Sequence, residues 1–173
     1  MTRKRPAKTT VRRQQQPHKQ IDITDRQHCL VLPRQLLRRI VATVLAGEGR
    51  QVGEISLAFV TDDCMAQLHQ QFLGVTGPTD VLSFPLDNLA ENQPYSQQLS
   101  AVSGEIVIST ETAQRQARQR RHDPVVETCL YVIHGLLHLC GYDDTTPADR
   151  RQMQRRQRHY LRQLGLQLRH TAN

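Results

Sequence analysis

The sequence predicts one compact domain of mixed character, with about four strands and about five helices. Three observations carry this. The 173 residues are enough to bury one core without disulfides or a structural metal. Segments of two-residue hydrophobic period are interspersed with segments of helical period through the first two thirds of the chain. The last third reads as three consecutive helices.

Taken in order, Lys19 to Thr24 alternates weakly and suits a short strand. Pro33 then opens a helical segment, Leu36, Leu37, Ile40, Val41, Val44 and Leu45, closed by Gly47 and Gly49. Glu54 to Val60 sets Ile55, Leu57 and Phe59 on one face of a strand. Thr61 is placed to cap a helix through Leu73 carrying Met65, Leu68 and Phe72, which Gly74 and Gly77-Pro78 end. Val81 to Leu86 and Glu105 to Ser109 read as two more strands, separated by a loop rich in Pro, Asn, Gln and Ser that is expected to be exposed. Helices follow over Ser109 to about Arg121, Pro124 to Cys140, and roughly Thr146 to Leu164. The middle one has almost no polar face and is expected to be the core helix. The last begins on a capping Thr146 and first-turn Pro147, and its sparse stripe of Met153, Tyr160 and Leu164 predicts docking on one side. No internal repeat is visible. Residues 1–19 hold too little apolar surface to fold alone, so a disordered basic tail is expected, followed by a domain over 20–168 and a short tail over 169–173.

The formal net charge of +7 changes meaning when divided along the chain. Seven basic side chains and no acid lie in residues 1–19, so the remainder balances at zero. Residues 51–114 carry eight acids and neither Lys nor Arg, whereas residues 115–173 carry eleven arginines against five acids. All three lysines are in the tail, leaving arginine, whose planar fork suits phosphate, as the cation of the body. Arg-rich helix faces are often simply solvated, but Arg115, Arg118, Arg121, Arg151 and Arg155 are candidates for holding an RNA backbone. The four cysteines (Cys29, Cys64, Cys129 and Cys140) form no CxxC pair, which favours a reducing, cytoplasmic setting. An apolar leader segment and a bilayer-length apolar run are both lacking, so a soluble protein is expected.

The stretch His134-Gly-Leu-Leu-His138-Leu-Cys-Gly-Tyr-Asp143-Asp144 carries the chemistry. On a helix, His134 and His138 stack one turn apart on one face. Two imidazoles in a very apolar helix need partners, and one cation supplies both. Gly141 can reverse the chain so that Asp143 or Asp144 swings back toward the ion. Two imidazoles and a carboxylate leave a coordination position open, as catalytic zinc requires. The peptidase motif HExxH would put its general base where Gly135 stands, which disfavours a peptidase; a base must come from elsewhere, such as water acidified by the ion. Cys140 points to another side of the helix and reads as core. Gly77-Pro78-Thr79-Asp80-Val81-Leu82-Ser83-Phe84-Pro85 is a second notable stretch, a tight turn feeding a strand, which alone would pass for a capped turn.

Together, HGLLHLCGYDD, PTDVLSFP and the strand Ser103-Gly-Glu-Ile-Val-Ile-Ser109 resemble the YbeY family of ribosomal-RNA maturation factors, over roughly residues 20 to 165. The resemblance implies an α+β domain, a small mixed sheet packed with helices, with a metal site at the end of the central helix. It implies a zinc-dependent, single-strand-specific endoribonuclease acting in small-subunit rRNA 3′-end maturation and ribosome quality control, with rRNA and ribosomal proteins as partners and no DNA. The implied metal ligands are His134, His138 and Asp144. Asp143 becomes a candidate catalytic residue, either orienting a ligand or transferring a proton. Two departures stand out. The family pattern ends Gly-Tyr-Asp-His, so Asp144 replaces an imidazole, which makes manganese more plausible beside zinc. Leu73 stands where many members have an arginine. A non-catalytic assembly factor with a structural metal is the alternative, and a zinc hydrolase of peptides or small molecules lacks its base.

Overall fold

The computed structural model describes residues 20–86 and 101–168. Most of the polar loop expected after Leu86 lies outside the described residues, as do both expected tails. Four strands, β1 (Gln20–Asp25), β2 (Gln51–Val60), β3 (Val81–Pro85) and β4 (Ala101–Ser109), form one mixed sheet in the order β1-β2-β4-β3. β1 and β4 both run parallel to β2, and β3 pairs antiparallel with β4 at the edge. Five helices complete the described fold: α1 (Arg34–Gly47), α2 (Asp62–Leu73), α3 (Thr110–Arg120), α4 (Pro124–Leu139) and α5 (Pro147–Gln163).

Helix starts follow local chemistry. Thr61, Ser109, Asp123 and Thr146 each turn a side-chain oxygen onto a backbone N–H of the first turn, at 3.4, 3.2, 2.7 and 3.2 Å. Each satisfies a donor that the helix itself cannot. α2 ends on Gly74 in the left-handed conformation, φ 69°, where a Cβ would be disfavoured.

β2 and β4 extend further toward their N-termini than the period-2 signal indicated. Their opening residues, Gln51-Val-Gly-Glu and Ala101-Val-Ser-Gly, are too polar and glycine-rich to alternate cleanly, and the ladder shifts register between Val52 and Ile55. Ser103 bridges that irregularity, its hydroxyl accepting from the Glu54 N–H at 3.2 Å.

The main core lies on one face of the sheet. Ile55, Leu57 and Phe59 of β2 and Ile106 and Ile108 of β4 meet Leu37, Ile40, Val44 of α1 and Val132, Ile133, Leu136 of α4. α5 joins this core through Met153, Tyr160 and Leu161, one residue more than the expected stripe, with Leu164 just beyond the helix. On the other face α2 builds a smaller cluster in which Met65 packs with Val60, Leu82 and Val107. Cys129 is buried, while Cys29, Cys64 and Cys140 are half-buried.

Glu48, just past α1, ties three segments together. Its Oε1 accepts from the Tyr160 hydroxyl at 2.6 Å and from both Nε and NH2 of Arg156 at 2.9 and 2.5 Å; its Oε2 accepts from the Tyr142 hydroxyl at 2.9 Å. Gly47 makes room for this, since a Cβ there would lie 2.5 Å from the Tyr160 hydroxyl. Burial pushes the Glu48 carboxyl up, but the hydrogen bonds from Tyr160, Arg156 and Tyr142 outweigh it and hold its pKa below the ordinary carboxylate value. A depressed folded-state pKa contributes stability that is full above the unfolded pKa and is lost as pH falls through the folded one. Glu48→Gln is therefore expected to destabilise by about 1–3 kcal/mol at neutral pH. In denaturant titrations its gap from wild type should narrow as pH falls below the ordinary Glu pKa of about 4.3.

Candidate metal centre

α4 carries both histidines on its last two turns, and its position against the sheet fixes where they point. The helix approaches β3 and β4 most closely at Gly135, where a Cβ would sit 2.6 Å from Ile106 Cγ2 and 2.9 Å from Ser83 Oγ. Any side chain there would collide with a buried, branched residue. The position that holds the base in HExxH peptidases is thus filled by the sheet itself.

His134 and His138 stand edge to face, ring centroids 4.5 Å apart and 87° between planes. Their Nε2 atoms are 3.0 Å apart. Beyond Gly141, at φ 95°, the chain turns back and places Asp144 Oδ2 3.7 Å from His134 Nε2 and Oδ1 4.0 Å from His138 Nε2. These are the residues among those described whose donor atoms converge closely enough to hold an ion together. Bonds of about 2.0–2.1 Å at tetrahedral angles separate neighbouring donors by about 3.3 Å. The observed separations bracket that value, so the group could accept a small divalent ion with minor side-chain movement.

The surroundings set the rings' protonation. His138 Nδ1–H donates to the Tyr142 carbonyl at 2.9 Å, which leaves its Nε2 lone pair facing His134. The Gln157 amide of α5 donates to His134 Nδ1 at 2.8 Å. Burial, reinforced by the neighbouring His138 and only partly offset by Asp144 and Asp80, lowers the His134 pKa. The ring is therefore neutral at pH 7, as a metal ligand must be.

The loop bearing Asp144 is braced from both sides. Asp143 accepts from its own loop, from the N–H of Asp144 and Thr145 at 2.7 and 3.2 Å and from the Thr145 hydroxyl at 3.0 Å. Those bonds, with the Asp144 N–H first among them, hold its carboxyl below the usual range. Arg150 donates to the carbonyls of Asp144 and Thr145 at 3.2 and 2.9 Å.

His134, His138 and Asp144 share an open groove of about 660 Å³ with Phe72 and Leu73 of α2, Asp80, the β3 residues Val81 to Pro85, and Leu139. Asp80 also fixes the turn into β3, accepting from Val81 N–H at 2.9 Å and the Thr79 hydroxyl at 3.2 Å. Asp143 does not line this groove; it borders a smaller hollow with Cys140, Gly141, Tyr142, Asp149 and Gln152.

The five candidate arginines also lie away from it. Arg115 pairs with Asp62 at 2.7 Å and, with Arg118, borders a separate cavity of about 490 Å³. Arg121 closes α3 in the left-handed conformation, φ 56°, and Arg151 and Arg155 are exposed on α5. Sequence reasoning did not single out Gln157, although its place among Met153, Tyr160 and Leu161 on the docked stripe marked a polar residue facing inward. The expectation at this site is that Gly135→Ala destabilises by about 1–3 kcal/mol through overpacking, measured by chemical unfolding.

The chain is similar to proteins of one family. A family model described as Endoribonuclease YbeY matches residues 16–165. A relative named Endoribonuclease YbeY from Anaeromyxobacter sp. is 42% identical over 130 residues, covering 75% of this chain and 64% of that one. Another from Bifidobacterium longum is 41% identical over 120 residues, 69% of this chain and 65% of the relative. A third from Protochlamydia amoebophila is 37% identical over 129 residues, 75% and 82% of the two chains. The first two matches thus span under two thirds of those relatives' length. A solution structure from Thermotoga maritima aligns with a TM-score of 0.57 and 26% identity, covering 84% of this chain and 89% of that one.

Proposed function

This chain belongs to the YbeY family, and on that premise we propose that it is a metal-dependent endoribonuclease acting on single-stranded RNA. The observation that carries the proposal is the convergence of His134, His138 and Asp144 on one wall of a groove open to solvent. A structural ion would be enclosed by four protein ligands, whereas three ligands beside an open groove suit catalysis. When bound there, a zinc ion would polarise a phosphoryl oxygen and make water a competent nucleophile near neutral pH. Manganese is compatible because Asp144 supplies a hard oxygen donor where the family pattern has imidazole.

The chain's own residues have divisible tasks in this reading. His134 stays neutral, and both rings are held at fixed angles, His134 by Gln157 and His138 by the Tyr142 carbonyl. Asp144 adds negative charge and is presented by a loop that Asp143 and Arg150 hold in shape. Of the two roles weighed for Asp143, holding this loop fits its hydrogen bonds better than proton transfer. The exposed Arg118, Arg151 and Arg155 are proposed to attract the RNA backbone at long range, as are the seven basic residues of segment 1–19. The cellular role proposed is rRNA processing, in small-subunit 3′-end maturation and ribosome quality control, in the cytoplasm and in contact with ribosomal components. None of the described helices is long and apolar enough to cross a membrane.

One observation favours the alternative of a non-catalytic assembly factor: no Lys or Arg is among the described residues lining the groove. The deciding comparison is cleavage of a single-stranded rRNA fragment by wild type and His138→Ala, purified in parallel, with and without added zinc or manganese. The expected result is metal-dependent cleavage by wild type and a loss of at least about 100-fold in the variant. Equal or absent cleavage in both would favour the assembly-factor role.

A further inference from the structure

The groove that holds the three candidate ligands has an unusual lining for a protein that handles a polyanion. Among the described residues its ionisable side chains are Asp80, His134, His138 and Asp144, with no Lys or Arg. Such a surface does not attract a phosphate backbone except at a bound ion. The rest of the wall is apolar and largely open. Phe72 on the last turn of α2 is 54% exposed and Leu73 is 60% exposed. The Phe72 ring lies 4.9 Å from Phe84 of β3, tilted by 56°, and Phe84, itself half-buried, packs against the smaller core cluster.

Isolated exposed apolar residues are ordinary at protein surfaces. Here two rings and a leucine are contiguous, one ring packs against the core, and both line the same groove as the ligand group. A rigidly backed aromatic face beside a phosphate-handling site matches the way proteins hold unpaired bases: every base has a π-face, and stacking needs no cation. A duplex cannot use such a platform, because its bases are already stacked on one another.

We propose that Phe72, supported by Phe84, is a stacking subsite for one nucleobase of single-stranded RNA, next to the phosphate handled at His134, His138 and Asp144. This rests on the ribonuclease reading. It also supplies the binding that the missing groove cation would otherwise provide, with Leu73 extending the apolar wall.

The test is fluorescence anisotropy of a labelled single-stranded RNA, and of the same strand with abasic positions. The full chain is used with zinc present, at incubation times before cleavage is visible on gels. Phe72→Ala should weaken binding roughly 5- to 100-fold, the range of losing one base–aromatic stack. Phe72→Tyr should bind as wild type, whereas Phe72→Leu, which keeps apolar contact but no π-face, should resemble Phe72→Ala. The abasic strand that binds wild type weakly should show no further loss with Phe72→Ala. Thermal unfolding and zinc affinity should be nearly unchanged in all three variants. Equal binding by wild type and Phe72→Ala overturns the platform alone, and so does a self-association lost in Phe72→Ala while RNA binding persists. Failure of wild type to bind the strand overturns the ribonuclease reading and the platform with it.

Discussion

The approach of α4 to the sheet at Gly135 is the constraint on which the site depends. The helix can lie this close only because residue 135 has no side chain, with Ile106 and Ser83 filling the space a Cβ would take. That contact fixes the helix against β3 and β4 and aims His134 and His138 into the groove instead of along the sheet. It also settles a chemical question. A side chain next to the first histidine would collide with Ile106 and Ser83, so a general base of the HExxH kind has no room there.

A second level of organisation radiates from Glu48. One carboxylate holds Tyr160 and Arg156 of α5 and Tyr142 of the turn after α4, while 10% of its side chain remains exposed. Tyr142 in turn offers its carbonyl to His138. The docking of α5, the path of the ligand loop and the tautomer of a candidate ligand are therefore coupled through a residue distant from the groove. Several arginines are structural in the same sense. Arg156 pairs with Glu48, Arg115 with Asp62 and Arg120 with the fully buried Glu127. Each neutralises an acid that would be costly to bury alone.

Much of this was legible in the sequence, for identifiable reasons. Capping residues at Thr61 and Thr146 announced two helices because the cap is a local bond. His134 and His138 with Asp143 or Asp144 were readable from helical spacing and a glycine turn, and the choice of Asp144 came from the family resemblance. The strand starts at Gln51 and Ala101 were not, since a bulge and two glycines hide the alternation there. Neither was Glu48, whose role arises from contacts between segments distant in sequence. The partners of Arg115 and Arg156 were hidden in the same way, because Asp62 and Glu48 lie far from them in sequence. Spacing along the chain does not reveal which cations already have partners.

The contact between Gln157 and His134 has one more consequence. As arranged, the amide donates to His134 Nδ1, so the ring's proton sits on Nε2, between the two imidazoles. An ion held by both Nε2 atoms must displace that proton, and the natural refuge is Nδ1 of the same ring. A carboxylate or a backbone carbonyl at position 157's place would serve only the second arrangement, and a lysine only the first. An amide has both an N–H face and an oxygen face, so a half-turn of its terminal group matches either tautomer. An ion held there would thus ask only for a local exchange of hydrogen-bond polarity at Gln157, with α4 and α5 keeping their packing.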